Sequence, residues 1–161
     1  MIIVFDLDNT IIDEFGSSVR PGIIDLLDKL KKDNHNLILW TNSKKERATI
    51  ILRELSLNKY FDQLIFREDY DPNNEGIRKD IRKISGDVLI DDDPKEVNYL
   101  KSLNEYGLLI SPFRKGLRVY NSRELEFIYK NIKKIKRNKK ARKLKIFLKK
   151  LFSSFRPSKN P

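Results

Sequence analysis

The chain has 161 residues, with 34 Lys or Arg against 23 Asp or Glu, one His and no Cys, for a net charge of +11. That length suits one domain with an appendage, and the absence of cysteine excludes a disulfide framework and a thiolate metal centre, fitting a reducing, cytoplasmic setting. No apolar run approaches the ~20 residues of a bilayer span, and the opening M-I-I-V-F runs at once into acids, unlike a signal peptide.

The charge is unevenly placed. Residues 130–161 carry 14 Lys or Arg and no acid, which leaves 20 basic residues against 23 acidic ones before them. The division predicts a domain over residues 1–129 and a basic tail over 130–161, and any argument from basicity belongs to the tail.

Apolar runs alternate with segments of helical period. Ile2 to Phe5 read as a first strand. Pro21 then opens a helix carrying Ile23, Leu27 and Leu30 on one face, since a proline in the first turn loses no needed hydrogen bond. Asn36 to Trp40 make a second strand, with Trp40 a core residue and His35, in the polar run K-K-D-N-H-N, a solvated loop residue. Ser43 is placed to cap a helix whose Ala48, Ile51, Leu52 and Leu55 share a face.

Leu64 to Phe66 form a short strand, and the turn-rich D-Y-D-P-N-N leads into a predicted helix with Ile77, Ile81 and Ile84 inward. Val88 to Ile90 are a further strand, Val97 and Leu100 mark a short helix, and Leu108 to Ile110 a last strand. Strands that are apolar throughout, alternating with helices, predict a Rossmann-like three-layer α/β/α sandwich with a mostly parallel sheet.

In such sheets ligands bind beyond the carboxyl ends of the strands. Asp6 and Asp8 follow the first strand, Thr41, Asn42 and Ser43 the second, and Asp91, Asp92 and Asp93 the strand at Val88 to Ile90. Ionised side chains resist desolvation unless paired or bound to a metal, so acids at the ends of buried strands point to a site. An all-oxygen donor set suits a hard cation such as Mg²⁺. With no Cys and no His in these clusters, the available nucleophiles are an Asp, Thr41 or Ser43. A carboxylate can attack phosphorus once cations neutralise the phosphoryl oxygens, and a second acid nearby can handle protons.

V-F-D-L-D-N-T resembles the first signature of the haloacid dehalogenase-like (HAD) phosphatase superfamily, an apolar strand followed by D-x-D-x-T. L-I-L-W-T-N-S resembles its second signature and V-L-I-D-D-D-P its fourth, and V-R-P-G-I before a helix is common there. The resemblance spans residues 2 to 112. It implies a Mg²⁺-dependent phosphatase with Asp6 as nucleophile and metal ligand. Asp8 would be general acid and base with its backbone carbonyl on the metal, and Thr10 would fix the loop.

Thr41 and Asn42 would bind the phosphoryl group, and Asp91 and Asp92 would hold the metal. For the basic third signature the candidate is Lys79 in G-I-R-K-D-I, with Arg78 as the alternative. K-D-I-R-K-I-S-G-D-V-L-I-D-D somewhat resembles the RNA-polymerase-tail (NLI-interacting-factor-like) protein phosphatase branch. On the predicted helix, however, Lys79 points away from the core.

Only ten residues, Ile11 to Arg20, separate Thr10 from Pro21, which leaves no room for a cap domain. In the family an open site implies a large substrate, a phosphoprotein or a nucleic-acid end, or one presented by a partner; a small phosphomonoester also fits. Two other readings are a phosphate-binding scaffold without turnover and a nucleic-acid 3′-end phosphatase. In the tail, Ile128, Ile132 and Ile135 predict a helix docked on the body. Beyond it Leu144, Phe147, Leu148, Leu151, Phe152 and Phe155 form an apolar stripe among lysines. Such a helix suits an anionic membrane surface, a partner groove or nucleic acid, and Pro157 onward is expected to be disordered.

Overall fold

The computed structural model describes residues 1–116 and 122–154; for Ser122 and residues 149–154 only the backbone is described. Five strands form one sheet: β1 (Ile2–Phe5), β2 (Asn36–Trp40), β3 (Gln63–Ile65), β4 (Val88–Asp91) and β5 (Gly107–Leu109). Their order is β3-β2-β1-β4-β5 and every pairing is parallel. The register sets Val4 beside Ile38 on one side and Leu89 on the other, so β1, β2 and β4 end level. Acids and hydroxyls that follow those three strands are thereby delivered to one edge.

Successive side chains of a strand point to opposite faces, and here both faces are covered. Ile3 and Phe5 join Leu37, Leu39, Val88 and Ile90 in one apolar layer, packed by α1 (Ile23–Lys32) and α2 (Lys45–Glu54). Val4, Ile38, Trp40 and Leu89 form the other, packed by Leu100 of α4 (Pro94–Ser102) and by Ile81 of a short 3₁₀ turn (Ile81–Ile84). A single turn, α3 (Arg67–Tyr70), follows β3 in the chain, and its Tyr70 packs against that second layer. The result is the three-layer α/β/α arrangement that the strand pattern predicts, and no cap is inserted among the described residues.

α5 (Ser122–Ser154) is 33 residues long, and its Leu125, Ile128, Ile132 and Ile135 are buried in the first layer beside α1. It crosses from residue 129 to 130 without a break. Leu144, Phe147 and Leu148 are exposed, while the expected Leu151, Phe152 and Phe155 side chains and the segment from Pro157 lie outside the described residues. No helix among the described residues is long and apolar enough to cross a membrane.

Four local expectations are corrected. α1 starts at Ile23 rather than Pro21, because Gly22 takes a left-handed φ of 78° as its N-cap, a conformation glycine adopts without steric cost. Ser43 does not cap α2; Lys44 is the N-cap residue and makes no side-chain bond. His35 is 2% exposed rather than solvated.

The helix expected through Ile77, Ile81 and Ile84 does not form before Ile81. The buried Asp71 carboxylate accepts from the backbone N–H groups of Glu75, Gly76 and Ile77 at 2.7–3.2 Å. Asn74 and Gly76 both sit at positive φ. Together they fold the segment as a loop that leaves Ile77 41% exposed and turns Lys79 inward, 3% exposed.

Candidate active site

A cleft of about 370 Å³ opens at the carboxyl ends of β1, β2 and β4, lined by Asp6, Asp8, Thr41, Asp91, Asp92 and Lys79 among others. At its floor Lys79 Nζ donates to Asp6 Oδ1 at 2.6 Å and to Asp91 Oδ2 at 2.8 Å. All three groups are buried. Carboxylate oxygens of Asp6, Asp91 and Asp92 lie within 4.8 Å of one another. The structure thus brings Asp6, Asp91, Asp92 and Lys79 together, and it is the loop, not a helix, that lets Lys79 reach them.

Burial pushes the Asp6 carboxyl up to about 8, against the pull of the Lys79 charge and with added repulsion from Asp91. Burial likewise disfavours the charged Lys79, but the two carboxylates outweigh it and hold the ammonium above the usual lysine range. Asp92 is raised by burial and by the Asp91 charge, with the Thr10 hydrogen bond opposing. Crowded acids that resist ionisation are the electrostatic condition a divalent cation relieves. The oxygen-only donor set fits Mg²⁺.

The loops are fixed by short bonds. Thr10 Oγ1 donates to Asp92 Oδ1 and accepts from the Asp92 N–H, both at 3.1 Å. Asp93 caps α4 and donates its own N–H to Asp91 Oδ1 at 2.8 Å. Thr41, 1% exposed, accepts from the Ser43 N–H at 3.0 Å. Asn42 is exposed at the rim, its Oδ1 3.5 Å from the Tyr70 hydroxyl.

Asp8 stands apart from the three-acid cluster. Ser43 Oγ donates to its Oδ2 at 2.6 Å, Arg47 Nη2 lies 2.7 Å from its Oδ1, and Arg47 Nη1 donates to Ser43 Oγ at 2.5 Å. Arg78 is turned to the cleft edge, where it pairs with Glu96 at 3.0 Å and lies 3.7 Å from Asp93.

Several residues at the site carry no sequence signal. Glu96 accepts from the Lys79 N–H at 2.9 Å as well as from Arg78, clamping the segment that delivers Lys79. Arg20, 3% exposed, donates to the Thr10, Asn9 and Ser111 carbonyls at 2.5–2.7 Å, tying the loop after β1 to the one after β5. Arg47 and Tyr70 meet their partners only through the fold. The V-R-P-G run and the D-P-N-N-E-G turn composition are the nearest hints.

Comparison with known proteins bears on the fold and the family. The chain is 42% identical over 62 residues to an uncharacterized 41.0 kDa protein of Cryptophlebia leucotreta granulosis virus, a stretch covering 37% of this chain and 18% of that one. This chain therefore spans under a fifth of that relative's length. Among solved structures, a HAD-superfamily hydrolase from Ehrlichia chaffeensis superposes with a TM-score of 0.54 at 16% identity, covering 83% of this chain and 96% of that one. An uncharacterized protein from Listeria monocytogenes serotype 4b gives 0.61 at 10% identity, covering 84% and 98%. These likenesses concern the fold. The family description of the NLI interacting factor-like phosphatases matches residues 1–142, and with the fold of HAD-superfamily hydrolases beneath it the chain belongs to that phosphatase family.

Proposed function

We propose that the protein is a Mg²⁺-dependent phosphomonoester hydrolase that works through an aspartyl-phosphate on Asp6. The observation that carries this is the buried Asp6 carboxylate at the end of β1, bonded to Lys79 and grouped with Asp91 and Asp92. Asp6, Asp91 and Asp92, with the Asp8 carbonyl, would hold the metal. When bound, it would neutralise phosphoryl charge and keep Asp6 ionised.

Lys79 supplies a fixed positive charge beside the nucleophile, and the Thr41 hydroxyl and Asn42 offer hydrogen bonds to the phosphoryl oxygens. An Asp6 oxygen attacks phosphorus as the bond to the leaving oxygen breaks, and Asp8 gives that oxygen a proton. Water then attacks the same phosphorus, Asp8 takes its proton, and the bond to Asp6 breaks to release inorganic phosphate. Ser43 and Arg47 fix the Asp8 carboxyl at the rim where leaving group and water arrive.

The uncapped cleft favours a phosphate carried on a macromolecule or presented by a partner over one that must be enclosed. The chemistry needs no disulfide and suits a cytoplasmic setting. Acid quench after mixing with substrate radiolabelled at phosphorus tests the reading. Label should stay on wild-type protein and be absent from Asp6→Asn; equal labelling of both would place the nucleophile elsewhere.

A further inference from the structure

The outer half of α5 takes no part in the site, and its surface has a definite order. Leu125, Ile128, Ile132 and Ile135 are buried, and the next position of that series, Lys139, pairs with Asp87 at 2.6 Å. A spacing of three and four residues marks this as the face docked on the body. A second series, Lys130, Lys133, Arg137, Lys140, Leu144 and Phe147, is offset from the first by five residues. At about 100° per residue that places it about 140° round the helix.

Every member of the second series is exposed. Phe147 is 61% exposed and Leu144 57%, with Leu148 beside them at 40%. The face turned from the body is therefore cationic along the docked half of α5 and apolar along the free half.

We propose that this outward face binds an anionic membrane surface. The apolar end enters the boundary of the acyl chains while the lysines along the same line meet anionic headgroups. A nucleic-acid backbone would use the cations but has no use for the row of Leu and Phe. The tail holds no acid, and the rest of the chain has three more acids than bases, so the chain's excess positive charge is concentrated in the tail.

The fold also sets the orientation. Glu124, near the start of α5, accepts from the N–H of Ser111 just after β5, whereas Lys139 meets Asp87 just before β4. α5 thus runs antiparallel to the strands, and the cleft at their carboxyl ends opens along the membrane plane beside the helix start. The binding itself is independent of the reaction proposed above.

Flotation of the full chain with phosphatidylcholine vesicles, with and without phosphatidylserine, tests this. Binding is expected only with phosphatidylserine. Leu144→Glu with Phe147→Glu should lower partitioning about tenfold or more, and Lys133→Glu with Arg137→Glu should lower it about thirtyfold or more. Arg142→Gln, on the docked side of the helix, should change it by no more than about twofold.

The chain has no cysteine, so nitroxides attached at Phe147→Cys and Arg142→Cys report depth without altering the charge pattern elsewhere. The first should read inside the bilayer and the second in water. Equal binding to neutral vesicles, no effect of the Leu144 and Phe147 pair, both nitroxides in water, or tighter binding to duplex DNA that survives loss of the apolar pair would each overturn the proposal.

Discussion

The Lys79 ammonium lies 2.6 Å from Asp6 Oδ1 although 73 residues separate the two in the chain, and its second hydrogen bond reaches Asp91 at 2.8 Å. A buried cation between two buried carboxylates is needed by both, because removing it leaves uncompensated charge. Lys79→Met should therefore destabilise the fold by about 3–5 kcal/mol and cut kcat by about 10²–10³-fold. Added Mg²⁺ should raise the melting temperature of the variant more than that of wild type, since the metal takes over part of the missing charge. Thermal unfolding with and without Mg²⁺ checks the two stability effects, and steady-state kinetics check the loss of kcat.

Asp71 holds three backbone N–H groups of the loop that ends at Lys79. Asp71→Ala should release that loop and misplace Lys79, lowering kcat about tenfold while leaving the sheet intact. Steady-state kinetics beside circular dichroism distinguish this from global unfolding. Asp71→Asn, which keeps one acceptor oxygen, should recover part of the rate.

His35 is buried at the start of β2, and burial, with the nearby Lys136 charge, holds its pKa below the usual histidine value. The unfolded chain then binds a proton more readily than the folded one, so stability falls as pH drops below about 6.5 and continues to fall toward the folded pKa. His35→Leu should flatten this slope. Urea titrations at several pH values between neutral and mildly acidic give the comparison, and an unchanged slope would assign the acid sensitivity to other groups.

Ile132 is fully buried against the body although it lies in the basic tail by sequence. Ile132→Ala should cost about 2–5 kcal/mol, the range for deleting a buried aliphatic side chain. Truncation after residue 142 should leave the melting temperature nearly unchanged and spare hydrolysis of a small phosphate ester. A large loss of stability on that truncation would make the outer helix part of the folded core.

The strand pattern was readable because β1, β2 and β4 are buried on both faces and so appear as uninterrupted apolar runs, each stopped by polar groups that the parallel register then aligns. The segment from Asp71 to Ile84 was misread for an equally physical reason. Ile77, Ile81 and Ile84 have helical spacing, but periodicity ignores a buried carboxylate that takes three backbone N–H groups and two residues at positive φ. A helix there would turn Lys79 outward, whereas the loop turns it in. Glu96 and Arg47 act through contacts formed only after distant elements assemble, and no local pattern marks them; the V-R-P-G run contains Arg20 but does not disclose the carbonyls it binds. His35 looked solvated because its neighbours in sequence are polar; α5, which packs over that region, comes from a hundred residues away.

The most direct test of the account is hydrolysis of an aryl phosphate by the purified full chain, with and without Mg²⁺, beside Asp6→Asn. Turnover should stop on chelation, return with Mg²⁺, and drop by about 10³-fold or more in a folded Asp6→Asn variant. Turnover that survives either the loss of the metal or the loss of the Asp6 carboxylate would contradict it.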